Sequence, residues 1–154
     1  MLPTIPNIIA RIEANSEELG ITLFAPASSK EIAHFESTMH VKLPDDLVEF
    51  YSFANGFESE EDIFRIIPLN EIISDKKQFA VQPIDIRFAE YMIYCDSWAI
   101  NINPANKNDY CIYNKVENVV TLTNSFAEFL DTFLNGGVFD GLYEWRKRIE
   151  ASGK

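Results

Sequence analysis

Val41-Lys42-Leu43-Pro44-Asp45-Asp46-Leu47-Val48-Glu49-Phe50-Tyr51, closed by Asn55-Gly56-Phe57, is the stretch whose reading decides the fold. Proline suits a first helical turn because its missing N–H has no intrahelical partner there, and the two aspartates behind it face the positive end of the helix dipole. Leu47, Phe50, Tyr51 and Ala54 recur at helical spacing, so the segment predicts a helix with one apolar face. Asn55-Gly56 is its stop, since both residues tolerate the positive φ that ends many helices.

Upstream, Ile8, Ile9 and Ile12 predict a helix over 6–19, with Gly20 as its left-handed cap. Ser28-Ser29-Lys30-Glu31 has capping-box spacing, and Ile32, Phe35 and Met39 give the helix that follows a buried stripe. Downstream, an acidic loop, Glu58-Ser59-Glu60-Glu61-Asp62, precedes Ile63-Phe64-Arg65-Ile66-Ile67, a β-rich run closed by Pro68 where the sheet is expected to begin. Residues 69–79 are ambiguous, with Asn70-Glu71-Ile72-Ile73 able to form a helical turn. Tyr91–Tyr94, Trp98–Ile102, Tyr110–Tyr113 and Val119–Leu122 read as four strands of an antiparallel meander, with turn chemistry at 103–109 and 114–118. Ser125-Phe126-Ala127-Glu128 has capping-box spacing again, before a helix with Phe126, Phe129, Leu130, Phe133 and Leu134 on one face; 142–149 reads as a last amphipathic helix. The pattern predicts an α+β fold: a mostly antiparallel sheet of about five strands, with N-terminal and C-terminal helices packed against it. Without repeats or linkers, residues 1–154 read as one domain.

The chain has 154 residues, 47% hydrophobic and 13% aromatic, enough apolar surface to build a core without disulfides or a metal. Its formal net charge of -11 repels phosphate backbones and anionic lipid, and no basic patch offsets it, so neither nucleic acid nor a membrane is an expected partner. Arg146-Lys147-Arg148, the densest basic cluster, reads as ordinary charge near a helix C-terminus. The two cysteines, Cys95 and Cys111, are in no Cys-x-x-Cys spacing, and neither a signal peptide nor a spanning run is present, so a cytoplasmic location is the default.

Catalytic residues are not predicted. A Cys or Ser nucleophile needs a base within reach, yet His34 and His40 both fall near the second helix while the cysteines fall in expected strands. His34 and His40 do not have zinc-ligand spacing, the acidic loop lacks the pattern of a calcium loop, and no glycine-rich phosphate cradle occurs, so neither metal nor cofactor is expected.

The Leu43-Pro44-Asp45-Asp46-Leu47 start, the aromatic helix and its Asn-Gly exit, followed by Ile67-Pro68-Leu69 with Glu71-Ile72, Asp96-Ser97-Trp98 and Ser125–Leu130, resemble the SUKH superfamily over roughly residues 28–134. The resemblance implies helices packed on a curved, mostly antiparallel sheet, no catalytic residues, and in bacteria a common role as immunity proteins that neutralise polymorphic or contact-dependent toxins. An acidic chain would be steered to a basic toxin domain, at rates reaching about 10⁸–10⁹ M⁻¹s⁻¹ at low salt. The candidate partner-binding residues are Asp45, Asp46, Glu58, Glu60, Glu61 and Asp62 for charge, with Phe57 and Trp98 as aromatic contacts. A regulatory interaction scaffold is the first alternative. A small-molecule sensor with a pocket around Trp98, Tyr94 and Tyr110 is the second.

Overall fold

A computed structural model describes residues 2–60, 63–79 and 85–153. In chain order it contains α1 (Ile5–Leu19), β1 (Ile21–Leu23), α2 (Ser29–Met39), α3 (Asp45–Phe53), β2 (Phe57–Ser59), β3 (Phe64–Ile66) and α4 (Leu69–Phe79). There follow β4 (Asp85–Tyr91), β5 (Asp96–Asn103), β6 (Asn106–Val116), β7 (Asn118–Thr123), α5 (Phe126–Gly136), a π-helical segment (Gly137–Tyr143) and α6 (Glu144–Gly153). The seven strands form one open sheet in sequence order, every neighbouring pair antiparallel. The α+β class is as expected, as are three of the four meander strands, those over Trp98–Ile102, Tyr110–Tyr113 and Val119–Leu122; seven strands rather than about five, beginning at Ile21 rather than Ile63, are not. The additions β1 and β2 have three residues each, too few for an alternating pattern to register.

Capping chemistry explains the helix starts. Glu31 N–H donates to Ser28 Oγ at 3.1 Å and Ser28 N–H to Glu31 Oε1 at 2.9 Å, so each residue satisfies an orphan donor of the other. Ser28→Ala is expected to cost about 1 kcal/mol; an unshifted urea midpoint would show that water replaces the cap. At α5 the box is only half formed: Ser125 Oγ accepts from Glu128 N–H, but the Glu128 carboxylate takes the Thr123 hydroxyl instead. Pro44 is the N-cap of α3 rather than its first helical residue.

Alternation along β3 sends Phe64 and Ile66 to the face covered by α5, where Phe129 and Phe133 lie against Phe64. Phe64 and Phe133 stack with centroids 4.1 Å apart, and Trp98 meets Phe64 edge-on at 5.6 Å. Phe50 of α3 reaches Phe126 of α5 at 5.5 Å, and α1 buries Ile5, Ile8 and Ile12. Arg65 of β3 points to the opposite face, where α4 supplies Glu71.

One ambiguity is resolved and two local expectations fail. Residues 69–79 form a full helix, α4, whose first free amide, Leu69 N–H, donates to the distant Asn55 Oδ1 at 2.9 Å. Tyr91–Tyr94 is not a strand: β4 ends at Tyr91, and Cys95 N–H bonds back to the Tyr91 carbonyl at 3.0 Å to close a turn. Arg146, Lys147 and Arg148 lie in the first turns of α6, not at a C-terminus, and buried Arg146 donates to the Asn114 side chain and the Asn118 carbonyl.

Candidate functional site

In an antiparallel meander alternate connections fall at the same end, so the β2–β3, β4–β5 and β6–β7 connections share one end of the sheet and the β5–β6 turn lies at the other. That topology divides the acids singled out from sequence. Glu58, exposed on β2 opposite Arg65, and exposed Glu60, whose N–H donates to the Gly20 carbonyl at 2.9 Å, belong to the first end. Glu61 and Asp62 lie outside the described residues.

Asp45 and Asp46 sit at the second end and are engaged within the chain. The Asp45 carboxylate meets Lys107 Nζ at 2.8 Å, while Asn108 accepts from Asp45 N–H at 2.9 Å and donates to its Oδ2 at 3.2 Å. The Lys107 ammonium holds the Asp45 carboxyl below the usual carboxylate range. Asp46 lies beside the Tyr110 hydroxyl, which accepts from Phe126 N–H at 2.8 Å and which burial pushes up to about 12. These aspartates tie the start of α3 to β6.

The two aromatic contacts need correction. Phe57 is 0% exposed and Trp98 1%, both within the ring cluster that joins the sheet to α5, so neither presents a surface to a partner in this fold. The pocket expected around Trp98, Tyr94 and Tyr110 is filled by the same packing, since Trp98 and Tyr110 are core residues and Tyr94 bonds Glu71. His34 and His40 are exposed; Cys95 is exposed in the β4–β5 turn and Cys111 half-buried on β6.

The first end also exposes large apolar side chains. Ile63 (51% exposed), Met92 (43%), Ile93 (84%) and Phe139 (55%) lie there: Met92 N–H donates to the Ile63 carbonyl at 3.0 Å, and the Phe139 ring meets Tyr91 edge-on at 5.6 Å. Ile63, Met92, Ile93 and Tyr94 have φ of 50°, 51°, 52° and 64°. Left-handed backbone costs a residue with a side chain roughly 1–2 kcal/mol, and β-branched residues are the least suited to it. Three of these four, Ile63, Met92 and Ile93, are exposed at this end of the sheet, which places strain where the fold gains little burial from it.

A half-buried ionic cluster holds the turn. Arg65 forks onto Glu71 of α4, its Nη1 reaching Oε1 at 2.9 Å, while its Nε donates to Glu90 of β4. The second oxygen of buried Glu90 accepts from Tyr94 N–H at 2.8 Å, and the Tyr94 hydroxyl donates to Glu71 at 2.7 Å. Arg87 binds Asp75 at 2.8 Å, and its guanidinium lies 5.4 Å from the Tyr94 ring centroid. The Arg65 hydrogen bonds lower the Glu71 carboxyl, and burial raises the Tyr94 phenol.

Acids lie on the β1–β2 side of this end, Asp140 directly following Phe139 in the chain. Glu18 and Asp140 share a cleft of about 440 Å³ with Ser59, Phe133 and Gly137. Toward β7 the same end carries exposed Lys147, 3.4 Å from Glu144. Sequence reasoning missed Glu18, Ile63, Met92, Ile93, Phe139 and Asp140, because Met92-Ile93-Tyr94 has strand composition and nothing in its residue types announces left-handed backbone.

No helix among the described residues is long and apolar enough to cross a membrane. No curated protein matches the chain. The pattern of the SMI1 / KNR4 family (SUKH-1) matches residues 26–132, a span that takes in the α3 helix with its Asn-Gly exit, strands β2 to β7 and the start of α5. Most of the sequence lies within that match, and the chain belongs to the SMI1 / KNR4 family (SUKH-1).

Proposed function

We propose that this chain is an immunity-type binding protein, one that neutralises a bacterial toxin domain by occupying it and performs no chemistry of its own. Family membership supports a role in protein–protein interaction. The observation that carries the reading is the exposed Ile63, Met92, Ile93 and Phe139 group bordered by Glu18, Glu60 and Asp140. An apolar centre with a charged rim is the usual anatomy of a specific interface, and the rim's sign selects a basic partner.

The test is co-expression with the effector domain of a toxin gene neighbouring its own, scored by survival and followed by association kinetics on the purified pair. Reversing Glu18, Glu60 and Asp140 to Lys is expected to slow association about tenfold or more at low salt. The deficit should shrink as ionic strength rises and the Debye length falls to about 8 Å. Death of cells carrying the intact protein would overturn the toxin reading, and an unchanged low-salt on-rate would remove this end of the sheet from it.

A further inference from the structure

We propose that the β4–β5 turn, with Ile93 at its tip, is the specificity-determining element of this interface: a preformed apolar knob that enters an apolar cleft of the partner, lined at its mouth by Lys or Arg. The proposal rests on the binding reading above and deepens it.

Three features converge on Ile93. It is the most exposed of the large apolar side chains among the described residues, at 84%, so the folded chain draws almost no burial from it. It is β-branched at φ 52°, between two more left-handed residues, where asparagine or glycine would be the unstrained choice. It is also fixed rather than floppy: the next residue is held through its N–H by Glu90, through its hydroxyl by Glu71 and through its ring by two guanidinium groups. An apolar side chain that is costly in its own fold, solvated and carried on a held turn has the properties of a binding anchor, because the backbone that presents it is already ordered before association. Met92 and Phe139 flank it, and the acids beyond them match a cationic rim on the partner.

Strain makes the prediction directional. Ile93→Asn keeps a residue that accepts left-handed backbone and removes the apolar knob, so the melting temperature should hold or rise. Affinity for the toxin domain that the parent neutralises should fall about 30-fold or more, as for loss of a hot-spot residue. Ile93→Met, which keeps the apolar bulk, should bind within a few-fold of the parent. The native thiol of Cys95, exposed two residues away, supplies a footprint: maleimide labelling should be rapid in the free chain and blocked in the complex.

A parent chain that does not bind the domain overturns the binding reading and this inference together. If the parent binds, while Cys95 stays reactive in the complex and Ile93→Asn binds equally well, the inference alone fails. Protection of Cys95 in the isolated chain, with the mass of a dimer, would assign the face to a second copy and overturn it too. Loss of binding by Ile93→Asn with a lowered melting temperature would place the residue in the fold instead.

Discussion

Gly56→Ala is expected to unfold the protein or to leave it on the edge of stability. Gly56 has φ +93°, and a Cβ built there would lie 2.2 Å from the Ile66 carbonyl oxygen, 3.1 Å from its carbon and 3.2 Å from Pro68 N. All three are backbone atoms at the β3–α4 junction, so no side-chain rotation relieves the overlap. That junction is also where Tyr51 hydroxyl donates to the Ile67 carbonyl at 2.7 Å and Asn55 Oδ1 caps Leu69 N–H. Moving Ile66 and Pro68 outward would break both bonds and disturb the start of α4. A cost of about 4 kcal/mol or more follows, a large share of the roughly 5–15 kcal/mol by which native domains are stable. Gly20→Ala is the control: Gly20 has φ +66°, but its Cβ would meet only Glu60 Cβ, at 3.9 Å, so only the backbone penalty of about 1–2 kcal/mol applies. Urea denaturation followed by far-UV circular dichroism compares the two. Equal midpoint shifts would mean that the β3–α4 junction yields to the added methyl.

The same contrast shows which parts of the structure the sequence can announce. The exit at Asn55-Gly56 was legible as a helix stop, since a local conformational preference is written in the residue type. Its further service, an asparagine capping a helix 14 residues on and a glycine making room for another strand's carbonyl, was not. Asp45 is the same case: two aspartates at a helix start were legible, but the lysine and asparagine that engage Asp45 lie more than 60 residues downstream. Phe57, beside the acidic loop, looked like an exposed aromatic; its place on a three-residue strand facing α5 puts it in the core. The β4–β5 turn is the sharpest departure. Met92-Ile93-Tyr94 has strand composition, and the carboxylate that captures the Tyr94 amide is a strand residue with no sequence mark of that role. Composition did carry the net acidity, though not which end of the sheet its acids would border.

Arg65→Met is expected to cost about 3–5 kcal/mol, far more than the loss of a surface ion pair. Glu90 is the reason: its side chain is only 3% exposed, and Arg65 Nε supplies the positive charge that offsets its desolvation. Removing the guanidinium leaves a buried carboxylate that keeps the Tyr94 amide as a donor but loses its neighbouring positive charge. Methionine occupies a similar length, so the loss reports charge and hydrogen bonding more than packing. Adding Glu90→Gln removes the stranded charge and keeps an acceptor for Tyr94 N–H. The double variant should therefore recover part of the loss, with a coupling of about 1–3 kcal/mol between the two sites; strictly additive costs would show that the pair does not act as a unit. Acid supplies a second readout through Glu71, whose carboxyl Arg65 holds below its ordinary 4.5. A depressed folded-state pKa means stability that is fully present above about 4.5 and lost as pH falls through the folded value. Parent and Arg65→Met stabilities should accordingly move closer on acidification below pH 4.5, because the parent has the larger contribution to lose, the variant keeping only the Tyr94 hydrogen bond to Glu71. A gap that stays constant down to pH 2 would mean that Arg65 stabilises the turn by packing, and that the carboxylates on either side of it are bystanders.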